Sequence, residues 1–291
     1  LKEGSFNVDY KVEFKNLDEI SKDNIQMKWS TAFRQTEKLL SEQRRVSTIC
    51  FNEKEVGFDY LSESSDDESD LENDITWIQI LSGRIDTYYP NTYIPGRRVD
   101  DTKIIFIKGT HHVSLDTPKG STFIVTRIPN YKIHEHDAND MYESDLRVVN
   151  WGNEPVLKSE HDDRKRVYLL SDSLVGTDSV KGELIVYPQS TSCPEHYHMG
   201  AEHYQFITSG SVIAVLDGEE KELNQFDLLY NFENEKHWFY TKDDQCKFVE
   251  FFVPGENKTI WTQTTNVCTW SPIGTDIRGK SPSRHIEKHV H

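Results

Sequence analysis

Between Pro194 and Gly210 the sequence carries His196, His198 and His203, and a fourth histidine, His237, follows a turn-rich segment. On a strand, side chains alternate between faces, so His196 and His198 point the same way and can bind one ion. Neutral imidazole suits Fe, Mn, Ni, Cu and Zn. With Fe(II) such a site activates O₂; with Zn, Ni or Mn it serves as a Lewis acid in isomerisation, elimination or hydrolysis. Ahead of His237, the run from Asn224 through Asp227 to Glu235 reads as a turn, a buried strand and a second turn. That arrangement returns His237 to the first pair.

The strand that ends at the Ser209-Gly210 turn decides the rest of the site. One register puts His203, Gln205 and Ile207 inward; a preceding loop one residue shorter puts Glu202 inward instead. A one-residue slip exchanges the two faces, so only one of His203 and Glu202 can reach the metal on a regular strand. Other candidates read as structural. His134-Glu-His136 is expected at the surface, and Cys193 as a small buried residue. The acidic stretch from Ser62 to Asp74 is expected to be a solvated loop rather than a cation site.

The elements that must position these residues are mostly strands. Aromatic residues are plentiful at 11%, and they favour sheets. From Arg45 onward short β-rich runs alternate with turns, the pattern of a sandwich or barrel. Residues 31 to 44 carry the best helical stretch. The sequence also repeats at roughly 125 residues. Ile75 to Gly83 matches Glu202 to Gly210 in texture, both ending in Ser-Gly, and His112, Phe123 and Pro129 recur at the same spacing as His237, Phe248 and Pro254. Two copies of one barrel are therefore expected. Aligned on Gly83, the first copy has Ser69, Leu71 and Thr76 where the second has His196, His198 and His203, so it is expected to lack the metal.

The second copy resembles the cupin superfamily. His196-x-His198, Gly210, Phe226-Asp227 and His237 match its two motifs, although the usual glycine before Asp227 is Phe226 and the second turn lacks its usual proline. Counting back seven from Gly210, where the family usually places a Glu, gives His203. The resemblance thus implies His196, His198, His203 and His237 as ligands, as in the minority of cupins with four histidines. It further implies an all-β chain of two jelly-roll barrels in tandem with a short helical N-terminal segment. The expected division is an arm and helix over 1–44, a degenerate barrel over 45–130, a linker over 131–164, a metal-binding barrel over 165–255 and a tail over 256–291 that packs on a barrel.

Composition narrows the function. The formal net charge is −16, from 33 basic and 49 acidic residues. A field of that sign repels phosphate backbones and anionic lipid, so neither nucleic acid nor membrane is expected as partner. Four widely spaced cysteines without a CxxC pair and the absence of an apolar leader read as a cytoplasmic protein with reduced thiols. The expected function is that of a metal-dependent enzyme on a small organic molecule, with one divalent metal, Fe(II) before Mn, Ni, Cu or Zn. A non-haem iron dioxygenase stands first, a redox-neutral isomerase or lyase second, and a binding or storage protein third. Glu202 or Gln205 is expected to orient substrate or shuttle a proton. Tyr197, Tyr204, Phe206, Trp238 and Tyr240, where they face inward, are expected to line an aromatic pocket. The resemblance to two-barrel cupins also implies a homodimer.

Overall fold

Alternation of buried and exposed residues over short runs, broken at Gly and Asp-Gly turns, commits this chain to antiparallel sheet. A computed structural model describes residues 47–53, 73–88, 97–109, 114–116, 120–136, 146–263 and 269–290. The described residues all lie in the unit Arg44–His291. The expected helix over 31–44, His112 and the acidic stretch 62–74 as far as residue 72 lie outside the described residues; Asp74, at the end of that stretch, is buried and paired with Arg127 rather than solvated.

The first barrel is built from β1 (Ser47–Glu53), β2 (Ile75–Ser82), β3 (Arg84–Tyr88), β4 (Arg97–Asp100), β5 (Ile104–Lys108), β6 (Ser114–Asp116), β7 (Ser121–Ile128) and β8 (Leu146–Val149). One sheet runs in the order β1-β7-β2-β5-β8, and a smaller one runs β4-β3-β6. The core between them is aliphatic and aromatic throughout, with Ile78, Ile80, Ile85, Val99, Ile105, Phe123 and Val125. Thr76, at the position of His203 in the repeat, is half-buried, and no metal-ligating cluster falls in this barrel among the described residues.

The second barrel opens with β9 (Leu157–Ser159), β10 (Lys165–Leu170), β11 (Lys181–Tyr187), β12 (His196–Met199), β13 (Glu202–Ser209) and β14 (Val212–Leu216). It continues through β15 (Glu219–Leu223), β16 (Leu228–Asn231), β17 (His237–Tyr240), β18 (Cys246–Val253), β19 (Lys258–Trp261), β20 (Thr269–Pro272) and β21 (His289–Val290). An eight-stranded sheet, β16-β13-β18-β11-β10-β9-β20-β21, faces a five-stranded one, β15-β14-β17-β12-β19. Residues 146–149 and 157–159 are therefore strands, where the sequence was expected to run as an irregular linker. The first lies at the edge of its sheet beside β5, whereas the second is paired on both sides, with β10 and β20. The tail pairs with β9 through β20 and buries Trp270. His134 is buried in a 3₁₀ turn rather than exposed; His136 is exposed.

The repeat holds at the level of backbone pairing. β2 and β13 each break register just before their Ser-Gly turn, between Ile80 and Ser82 and between Ile207 and Ser209. Ile80 sits opposite Phe123, and Ile207 opposite Phe248. The larger sheets of the two barrels pack face to face over Trp77, Phe106, Tyr204, Phe206 and Phe251. Trp77 lies 4.8 Å from Phe251 between ring centroids, and the Thr126 and Tyr204 hydroxyls meet at 2.8 Å. This is why β13 is buried on both faces: Tyr204 and Phe206 serve the inter-barrel core, while His203, Gln205 and Ile207 serve the barrel interior.

Gly210 closes β13 at φ +75°, and a Cβ there would stand 1.8 Å from the Gln245 carbonyl oxygen. Both the left-handed conformation and the backbone clash penalise any side chain. Gly210→Ala is expected to cost about 3 kcal/mol or more of folding stability, read as a lowered denaturant midpoint with an unchanged slope. Among the described residues no helix is long and apolar enough to cross a membrane.

Candidate metal centre

The four histidines converge inside the second barrel from both of its sheets. In the five-stranded sheet, His196 pairs directly with His237 across β12 and β17, and His198 lies on the same face two residues on. From the opposite sheet β13 delivers His203. Ring centroids lie 4.5 Å apart for His196 and His237, 4.7 Å for His198 and His203, and 4.8 Å for His203 and His237. All four are at most 9% exposed.

Their outer nitrogens are held. His196 Nδ1 donates to the Pro194 carbonyl at 2.9 Å and His237 Nδ1 to the Glu235 carbonyl at 2.8 Å. His198 Nδ1 meets the Thr259 hydroxyl at 3.2 Å. His203 Nε2 lies 3.4 Å from Asn231 Nδ2 and 3.5 Å from a Glu250 oxygen. The nitrogens left over, Nε2 of His198, Nε2 of His237 and Nδ1 of His203, are buried with no hydrogen-bond partner. Unpaired buried polar atoms are costly and call for a partner. Donation from the far nitrogen is also how metal-bound imidazoles are oriented. Ligand atoms of His196, His198 and His237 lie within 4.8 Å of one another, as do those of His198, His203 and Glu250. A divalent ion suits this donor set.

Glu202 is separated from the cluster. It stands on the opposite face of β13 from His203, half-buried, and its carboxylate accepts the Tyr230 hydroxyl. Gln205 is wholly buried beneath the histidines. It donates to Glu250 at 2.7 Å and accepts from Asn231 at 2.6 Å.

Beside His196 and His198 opens a cavity of about 60 Å³. Its walls are charged as well as aromatic, with Arg164, Arg166, Lys181, Glu183 and Glu250 among Tyr187, Phe248, Phe252, Trp261 and Trp270. The aromatic lining expected from Tyr197, Tyr204, Phe206, Trp238 and Tyr240 is not what lines it. Tyr204 and Phe206 are on the face of β13 that meets the first barrel, and Trp238 and Tyr240 share the face of β17 that His237 does not. Across the large sheet, Gln205, Glu250, Glu183 and Tyr168 form one row, and His203, Phe252 and Lys181 the next. Arg166 holds both Glu183 oxygens at 3.3 Å and stacks on Trp270, its guanidinium carbon 4.6 Å from the ring centroid. Arg164 is clasped by both Asp162 oxygens at 2.9 and 2.8 Å. Glu250, Glu183, Arg166 and Lys181 were missed in the sequence. Their trace there is a charged residue inside an apolar run, as in Phe248-Val-Glu-Phe-Phe252.

Burial keeps the imidazoles neutral. It lowers His196 to about 4 and His237 to about 3, and holds His198 and His203 well below the usual histidine range. Burial, with Glu183 opposite, pushes Glu250 up to about 8. The metal-free protein should therefore lose stability in acid. Below about pH 6.5 the unfolded imidazoles take up protons that the folded ones refuse, so stability falls as pH drops toward 4. Glu250 acts in the opposite sense, its contribution being lost as pH rises toward 8, but four imidazoles outnumber one carboxyl. Thermal melts of chelator-stripped protein should show Tm falling between pH 6.5 and 4.5; a flat or rising Tm contradicts this.

Residues 183–252 match the cupin domain family, and the second barrel is a cupin domain. No curated protein sequence matches the chain. Among solved structures, a variant of oxalate decarboxylase from Bacillus subtilis is 11% identical with a TM-score of 0.51, over 66% of this chain and 66% of that one. A structure of oxalate decarboxylase described for its substrate binding mode is 10% identical, TM-score 0.55, over 77% of this chain and 72% of that one. A third, described for the Mn(II) centres of the Bacillus subtilis enzyme, is 10% identical, TM-score 0.50, over 66% of each chain. The chain thus spans about two thirds of the first of these structures. At such identities the likeness is one of fold alone.

Proposed function

Taking the cupin domain at residues 183–252 as the premise, we propose that this chain is a metal-dependent enzyme acting on a small organic molecule. His196, His198, His203 and His237 hold one divalent transition metal, and the substrate occupies the adjoining cavity. The observation that carries this reading is the set of partnerless buried nitrogens on His198, His203 and His237 beside a charged cavity. A structural ion would have no use for such a cavity, whereas a catalytic one needs access. The metal supplies Lewis acidity or, as Fe(II), activation of O₂. With iron, the proposed reaction is a dioxygenation.

Glu250, on the cavity wall, supports a proton-transfer role better than Glu202, which faces away. Gln205, itself held by Asn231, donates to Glu250, and Glu250 faces His203 Nε2 at 3.5 Å. A carboxyl at the cavity also favours the second reading, a redox-neutral lyase or isomerase, in which proton transfer is the central step.

The test is O₂ uptake by Fe(II)-loaded protein over a panel of small organic acids and enols, beside product analysis under anaerobic conditions. Substrate-dependent uptake supports the dioxygenase. Turnover without uptake supports the redox-neutral enzyme. No turnover with Fe, Mn, Ni, Cu or Zn overturns both.

A further inference from the structure

The lining of the cavity holds three cations and two carboxylates, and a third carboxylate behind it completes the balance. Arg164, Arg166 and Lys181 line it against Glu183 and Glu250. Asp162, outside the lining, neutralises Arg164. Counted with both glutamates ionised, the protein charges here cancel, so a divalent ion leaves a net positive site walled by aromatic rings. Such a site in a low-dielectric interior calls for an anion.

Lys181 has donors to spare. Its nearest carboxylate oxygen, on Glu183, is 3.7 Å away, beyond hydrogen-bonding distance, and its ammonium rests over the Phe252 ring at 4.3 Å. Its side chain is only 19% exposed. Lys181 stands in the row that continues through Phe252 to His203, two strands from the histidine. A ligand filling the cavity would meet His196 and His198 at one wall and Lys181 at another.

The cavity is small, about 60 Å³, which favours a compact ligand.

We propose that the substrate of this site is a small carboxylate, its carboxylate bound by Lys181 and its other end turned to the metal face formed by His196 and His198. This rests on the metal-enzyme reading for the metal end and for the net positive charge, while the Lys181 end stands on that residue's own unused donors.

The test is calorimetric titration of acetate, malonate and succinate, with acetamide and malonamide as neutral counterparts, into metal-stripped and Co(II)-loaded protein. The parent, Lys181→Gln and Lys181→Arg are compared. At least one carboxylate should bind the parent, with affinity falling about tenfold to a hundredfold in Lys181→Gln and recovering in Lys181→Arg. Its amide should not bind. Co(II) content should be unchanged in both variants, and the Co(II) absorption should shift when the carboxylate binds. Equal binding of amide and carboxylate, no binding of any acid to the parent, or no effect of Lys181→Gln overturns the proposal. Failure to take up Co(II), with carboxylate binding and its Lys181 dependence intact, overturns the metal reading and leaves the anion site standing.

Discussion

His203→Ala is expected to weaken metal binding by at least about 100-fold, while Glu202→Ala leaves it within about twofold. Loss of a partner that merely orients a ligand already costs 10–100-fold, and loss of the ligand itself should cost more. The contrast follows from the pleat. His203 shares its face of β13 with Gln205 and Ile207, inside the barrel, and its Nδ1 is buried without a partner. Glu202 is on the other face, its carboxylate occupied by Tyr230. Competition of each variant with a chelator for Co(II) measures both numbers. Equal losses, or a larger loss for Glu202→Ala, would mean that the strand carries its residues in the opposite register.

The second large effect concerns the buried pair below the cavity. Arg166 and Glu183 are 3% and 4% exposed in their side chains and are joined through both carboxylate oxygens. Removing one partner strands the other charge, typically at about 3–5 kcal/mol, whereas replacing both by apolar groups is often close to neutral. Glu183→Leu should be the worse single change, because Arg166 and Lys181 both lean on that carboxylate. Arg166→Met leaves Glu183 with Lys181 as a weaker partner. The double variant should be more stable than the sum of the two losses predicts, by about 2 kcal/mol or more. Chemical denaturation of the four proteins gives the coupling directly; simple additivity would mean that the pair contributes no mutual stabilisation.

These contrasts also mark what could be read in the sequence. His196 and His198 are legible because a strand fixes their common face, and His237 because a turn, strand and turn precede it. Gly210 anchors the register of β13 but leaves the choice between Glu202 and His203 to one residue of loop. The structure places a bulge between Ile207 and Ser209, beyond the site, so the alternation holds from Ile207 back to His203. The repeat was legible from Ser-Gly and the Phe and Pro landmarks; of the first copy's counterparts to the ligands, Thr76 is described, and it is half-buried. The charged wall was not. Arg166, Lys181, Glu183 and Glu250 come from β10, β11 and β18, and only closure of the sheet puts them side by side. A glutamate between Val249 and Phe251 reads locally as a solvent-facing residue of a half-exposed strand. Here both faces are covered, one by the first barrel and one by the barrel interior, so the same alternation buries it. The same packing reassigns Tyr204 and Phe206 from the pocket to the inter-barrel core.

The measurement closest to the central claim is metal analysis of protein purified without added metal or chelator, beside His198→Ala. Among the described residues His198 belongs to both close groups of ligand atoms, with His196 and His237 and with His203 and Glu250, so its removal breaks both. The account predicts about one equivalent of Fe, Mn, Ni, Cu or Zn per chain in the parent and a loss of that metal in the variant, with the fold retained by circular dichroism. A parent that holds no metal even after anaerobic reconstitution with Fe(II), or a variant that keeps its full equivalent, would contradict it.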